Sequence, residues 1–183
     1  MFLYTHNKPI KKNQKRGFTL LEVMIAIFLI IVGITGVFLL ITKTVGQMAL
    51  SSSRLIAAYL SQEGIEIVRN IRDTNWLEQS YHANSWDEGL VLPDIDCSAG
   101  CEADYTDTTV ENPTLSTYNG GNFLNIDGNG FYSYSPGTAT KFKRKITIVP
   151  NGLDILEVTV LIEWQEKGKS YQYSAQENLY NWR

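Results

Sequence analysis

Lys15-Arg16-Gly17-Phe18-Thr19-Leu20-Leu21-Glu22 is the stretch that decides how this chain folds. A basic segment ends at one glycine, and an apolar run from Phe18 to Ile41 begins at once. Glu22 is the single ionisable side chain in that run. About 20 apolar residues, at 1.5 Å rise each, span the hydrocarbon core of a bilayer, so the run is long enough to cross one. A carboxylate inside it costs on the order of 2–3 kcal/mol at mid-membrane, which marks Glu22 as a functional candidate.

Two plainer explanations compete. A secretory signal has a short apolar region followed by a small-residue cleavage site. Here the apolar region is too long, and Gly33, Gly36 and Gly46 are not followed by an evident A-x-A site. A plain signal anchor needs neither a carboxylate one turn inside its apolar run nor a glycine at the boundary between charge and apolar residues.

The motif and its position resemble the type IV prepilins, a family that includes pilus subunits and the pseudopilins of type II secretion. The resemblance implies cleavage of a leader after Gly17, N-methylation of Phe18 as the new first residue, and a role for Glu22 in guiding assembly. It is specific from Lys15 to about Ile41 and looser across the rest of the chain. Its implied partners are a prepilin peptidase, other pilins or pseudopilins, the inner-membrane assembly platform with its ATPase, and membrane lipid. The function it implies is the precursor of a minor pilin, with a type II secretion pseudopilin as the alternative. A third reading is a membrane-anchored binding protein whose loop Trp76–Asn125 serves adhesion or DNA uptake.

Charge agrees with a split chain. The 183 residues carry 16 basic and 19 acidic side chains, a net of −3. Lys8, Lys11, Lys12, Lys15 and Arg16 all precede Phe18, where no acid occurs, so the remainder has 11 basic residues against 19 acidic and a net of −8. By the positive-inside rule the basic tail stays in the cytoplasm and the acidic body crosses. The expected location is a single-pass inner-membrane protein with an extracytoplasmic head, later part of a pilus or pseudopilus. An acidic body also argues against broad binding to nucleic acid.

Beyond Ile41 the pattern changes. Leu50, Ser53, Ala57, Leu60, Gly64, Ile67 and Ile71 recur at alternating spacings of three and four, which places them on one helical face. Glu63, Glu66, Arg69, Arg72 and Asp73 fall mostly off it, and Arg69 can pair with Asp73 at i,i+4. With no proline from Phe18 to Val91, one helix is expected from Phe18 to about Asp73. A separate core helix after a break near Gly46 is the alternative. Small residues on the stripe (Ser53, Ala57, Gly64) would let sheet side chains approach the helix axis.

The C-terminal third alternates with period two. Phe142, Arg144, Ile146 and Ile148 share one strand face; Lys141, Lys143, Lys145 and Thr147 share the other. Leu156, Val158, Val160, Ile162 and Trp164 line one face of the next strand. Pro150-Asn151-Gly152 and Glu166-Lys167-Gly168-Lys169 read as turns, the second leading into a strand Ser170–Tyr180. Phe131–Ser135 reads as a further short strand, and Tyr105 with its neighbours as another. The expected fold is α+β: a long N-terminal helix packed on a C-terminal antiparallel sheet of three to four strands, the lollipop form the resemblance implies. The segments are a leader 1–17, a membrane helix 18–41, an amphipathic continuation 42–73 and a head 74–183. Within the head, 74–130 reads as variable loop and 131–183 as sheet.

Candidate sites outside the helix are few. Cys97 and Cys101 would pair in an oxidising compartment; two thiols with no histidine nearby do not fill a zinc shell. His6 and His82 read as bystanders. Asn125-Ile126-Asp127-Gly128-Asn129-Gly130 imitates half a calcium loop, but its twelfth position is Pro136, so a glycine-rich turn is the better reading. Lys141-Phe142-Lys143-Arg144-Lys145 could grip phosphate, yet its strand period puts the lysines on a solvated face that protects an edge or neutralises acids. Nothing in the sequence arranges Ser, His and Asp for catalysis, so the chain reads as a structural subunit without a cofactor.

Overall fold

A computed structural model describes residues 17–78, 85–107 and 115–182. The chain divides into two compact units at Gln47–Met48. One helix, α1, runs Leu20–Glu78 without interruption, so Gly33, Gly36 and Gly46 do not break it and it ends five residues later than the expected Asp73. His6 and His82 lie outside the described residues.

In the first unit every apolar side chain from Leu20 to Ile41 is exposed. A helix apolar all round with nothing packed on it has no reason to persist in water; it is suited to lipid or to other helices. Helix and sequence together support membrane anchoring.

In the second unit the stripe is buried as its spacing requires. Ser53, Ala57, Leu60, Gly64, Ile67 and Ile71 are all buried, and Leu50 packs at the margin. They meet an antiparallel sheet of five strands in the order β2-β1-β6-β7-β8. These are β1 (Cys101–Glu102), β2 (Ser116–Thr117), β6 (Phe142–Pro150), β7 (Ile155–Glu166) and β8 (Lys169–Tyr180). Strands β3 (Asn125–Ile126), β4 (Tyr132–Ser133) and β5 (Thr138–Ala139) form a second small sheet in the order β4-β3-β5. The architecture is α+β and pilin-like.

The meander β6-β7-β8 is continuous in register, from Phe142 opposite Trp164 to Pro150 opposite Leu156, and from Ile155 opposite Tyr180 to Glu166 opposite Lys169. Its helix-facing side carries Phe142, Arg144, Ile146, Ile148, Leu156, Val158, Val160, Ile162, Trp164 and Leu179, all buried. Lys167 and Gly168 both have positive φ, 50° and 75°, and link β7 to β8 in two residues. That is the backbone twist a two-residue hairpin needs.

Three expectations need correction. The strand near Tyr105 is instead the two-residue β1 at Cys101–Glu102, and Tyr105 lies in the turn that follows. The sheet has five strands rather than three or four, because β1 and β2 fold back from the mid-chain segment onto β6. Strand β6 is therefore internal, and its lysines do not guard an edge.

Gly64 allows the helix its close approach to the sheet. A Cβ there would lie 3.0 Å from Val160 Cγ1 and 3.2 Å from Arg144 Cδ.

Candidate assembly site at the helix N-terminus

Gly17, Phe18 and Thr19 precede the first helical residue, lie outside any helix or strand and are exposed, with Phe18 81% accessible. The Gly17–Phe18 bond thus lies outside the helix and in the open.

Thr19 caps α1. Its hydroxyl accepts from the Glu22 amide at 3.2 Å, and its carbonyl accepts from the Val23 amide at 3.2 Å. An N-cap oxygen of this kind satisfies one of the amides that a helix start leaves open, worth about 1 kcal/mol. Thr19-Leu20-Leu21-Glu22 has the spacing of a capping box, a signal in the sequence that points to Thr19 but was not read from it. Glu22 is the acid of the first turn, where the helix dipole favours negative charge, and it is exposed. Gly17, Phe18 and Glu22 therefore fall within one short segment: a peptide bond outside the helix and, about one turn on, a carboxylate.

Residues 12–38 match the family of the prokaryotic N-terminal methylation motif. That match supports a type IV prepilin-type family. Among curated proteins and among solved structures, none matches the chain. The match ends at residue 38, so it speaks for the start of the chain and not for its head. It points to a structural subunit, to processing by a prepilin peptidase and to assembly with other pilins.

In the head, Cys97 and Cys101 form a disulfide, and both are buried. Cys101 opposes Ile146 of β6, and the Cys97 carbonyl accepts from the Ile148 amide at 3.2 Å, so the bridge staples the mid-chain segment to the sheet.

Asp127, first acid of the calcium-like stretch, is spent inside its own turn. Its carboxylate accepts from the Asn129 and Phe131 amides and from the Tyr105 hydroxyl, and these bonds hold it below its ordinary value. The stretch is the end of β3 and the turn that leads from it to β4.

The basic cluster is also committed. Lys141 pairs with Glu166, Lys143 donates to the Gly120 carbonyl and lies over Phe123, and Lys145 lies over Tyr118. Arg144 is wholly buried. Arg69 pairs with Glu66 and Glu177 rather than with Asp73, which instead takes Arg72.

Proposed function

We propose that the chain is the precursor of a minor pilin, inserted by α1 into a type IV filament. The observation that carries this reading is Glu22: an exposed carboxylate in the first turn of a helix that stays exposed, and apolar apart from Thr35, from Val23 to Ile41. In a dry bundle of such helices an unpaired carboxylate is costly. Cleavage before Phe18 would create an α-amine about one turn away. That amine of one subunit can pair with Glu22 of the next and so fix the axial register of docking.

Gly17 is the leader's last residue in this reading, Phe18 the methylated start and Glu22 the assembly residue. The tail Lys8–Arg16 stays cytoplasmic and the acidic head faces outward. The partners are the prepilin peptidase, neighbouring pilins and the inner-membrane platform.

The test is Glu22→Gln, which keeps shape and hydrogen bonding but removes charge. Insertion and cleavage are expected to be retained, with mature protein beginning at methylated Phe18, while incorporation into sheared filaments is lost. Equal incorporation of the variant and the wild type defeats the pairing argument, and a mature start beyond Ile41 defeats the prepilin reading. Recovery with a type II secretion complex instead of surface filaments makes the chain a pseudopilin.

A further inference from the structure

The sheet has a second face, turned away from α1, and it is not plain surface. Lys143, Glu163 and Gln172 stand directly opposite one another across β6, β7 and β8, with Gln165 opposite Ser170 in a neighbouring row. Over the β6 end of these rows lies the segment Tyr118–Phe123, held by Lys143 donating to the Gly120 carbonyl and by the Tyr118 hydroxyl donating to Glu163 at 3.4 Å. Between segment and strands is an open groove of about 610 Å³ lined by Phe123, Glu163, Gln165, Ser170 and Gln172 among others. That volume falls within the range of small-molecule sites.

The commitments of the lining side chains limit what could bind. Each charge already has a partner: Lys141 with Glu166, Lys143 with a carbonyl and the Phe123 ring 4.5 Å away, Glu163 with Tyr118. What stays uncommitted is neutral. Gln165, Ser170 and Gln172 are exposed and have no side-chain hydrogen-bond partner among the described residues. Phe123 adds an apolar ring that is 46% exposed although Lys143 lies over it.

A ligand matched to this set needs an apolar face for the ring and a rim of neutral donors and acceptors for the amides and hydroxyl. An anion would have to take Lys141 or Lys143 from a partner it already holds, and a purely apolar ligand would strand the glutamines. We propose that the groove binds a neutral saccharide, its C–H face on Phe123 and its hydroxyls on Gln165, Ser170 and Gln172. A pyranose offers both features in one ring, and a short oligosaccharide can run along the open groove. The site lies on the head and does not depend on the filament role.

Saturation-transfer NMR on the full chain, held in a zwitterionic detergent so that no sugar headgroup competes, tests the site. The probes are maltotetraose, cellotetraose and chitotetraose at millimolar concentration, with sialyllactose and a heparin tetrasaccharide as acidic comparators. Transfer to at least one neutral probe is expected, falling at least five-fold in Phe123→Ala and in the double variant Gln165→Ala/Gln172→Ala. The double variant changes only exposed side chains, so it carries the test should Phe123→Ala disturb the loop. No transfer to any neutral probe overturns the proposal, as does transfer unchanged in the double variant or confined to the acidic sugars. Filament incorporation of the same variants is expected to be normal, which separates this site from Glu22.

Discussion

Arg144 of β6 and Leu60 of α1 are joined inside the core: the guanidinium Nη1 donates to the Leu60 carbonyl at 3.2 Å. Nη2 donates to the Ala103 carbonyl at 2.6 Å, and Glu63 Oε2 lies 3.5 Å from Nη1. One side chain thus ties helix, central sheet and mid-chain segment together. It is wholly buried, which a cation tolerates only with such partners.

The fold of the head is confined to the second unit, since the buried apolar residues run from Ala57 to Leu179. A chain beginning at Met48 is therefore expected to be soluble and to unfold in one cooperative transition in urea. A sloping, non-cooperative circular dichroism signal would refute this.

In that shortened chain, Arg144→Ala should lose about 3–5 kcal/mol, because it empties core volume and leaves the Ala103 carbonyl without its donor. Arg144→Met restores most of the volume and should recover part of the loss, leaving about 1–3 kcal/mol for the stranded carbonyl. Equal urea midpoints for Met and Ala would mean that polar satisfaction, not packing, sets the whole cost.

The sequence showed more of the strand parity than of the partners. Period-two alternation placed Arg144 on the same face as Phe142, Ile146 and Ile148, and all four are buried. Its partner Leu60 is 84 residues away, and no local pattern carries that distance. Strands β1 and β2 were illegible for a different reason: two residues are too short to show a period, so they became visible only as partners of β6. Arg69 shows the limit of helix-surface rules, since a strand carboxylate, Glu177, competes with the i,i+4 neighbour and wins. At the N-terminus the motif was legible as far as Gly17, Phe18 and Glu22, and the capping geometry of Thr19 was the part left unread.

Gly64 sits where any side chain meets the sheet. Gly64→Ala adds intrinsic helix propensity of about 1 kcal/mol but forces Val160 to give way, so the two effects oppose. Gly64→Leu cannot be accommodated and should cost at least about 2–3 kcal/mol. Thermal melting of both variants checks the order wild type and Ala close together, Leu far below. A Leu variant as stable as wild type would show that the helix does not need this close approach.

Cys97 and Cys101 enclose three residues, and closing so small a loop is worth about 2 kcal/mol on the chain-entropy account. Cys97→Ser/Cys101→Ser also places two hydroxyls in buried positions, so the expected loss is about 2–4 kcal/mol. Because the bridge staples the segment to β6, the amide of Ile148 should lose hydrogen-exchange protection before the amides of β8 do. Uniform loss across the sheet would contradict that local role.

Glu63 and Glu166 should respond to pH with opposite signs. Burial, the largest cause, holds the Glu63 carboxyl above its ordinary 4.5, with Arg144 pulling the other way. A raised carboxyl contributes stability that is fully present below 4.5 and is lost as pH rises through the folded value. The hydrogen bond from Lys141 holds Glu166 below 4.5, so its contribution is present above that value and is lost as pH falls through the folded one. Glu63→Gln imitates the protonated acid and is expected to raise the urea midpoint at pH 7, with the gap narrowing as the pH falls through the folded value and closed below 4.5. Glu166→Gln is expected to lower the midpoint at pH 7 and to converge with wild type in the same direction. Urea titrations of the Met48 chain and both variants between pH 3.5 and pH 7 decide it. Should Glu63→Gln lower the midpoint at pH 7, attraction to Arg144 outweighs burial and the buried guanidinium depends on that carboxylate.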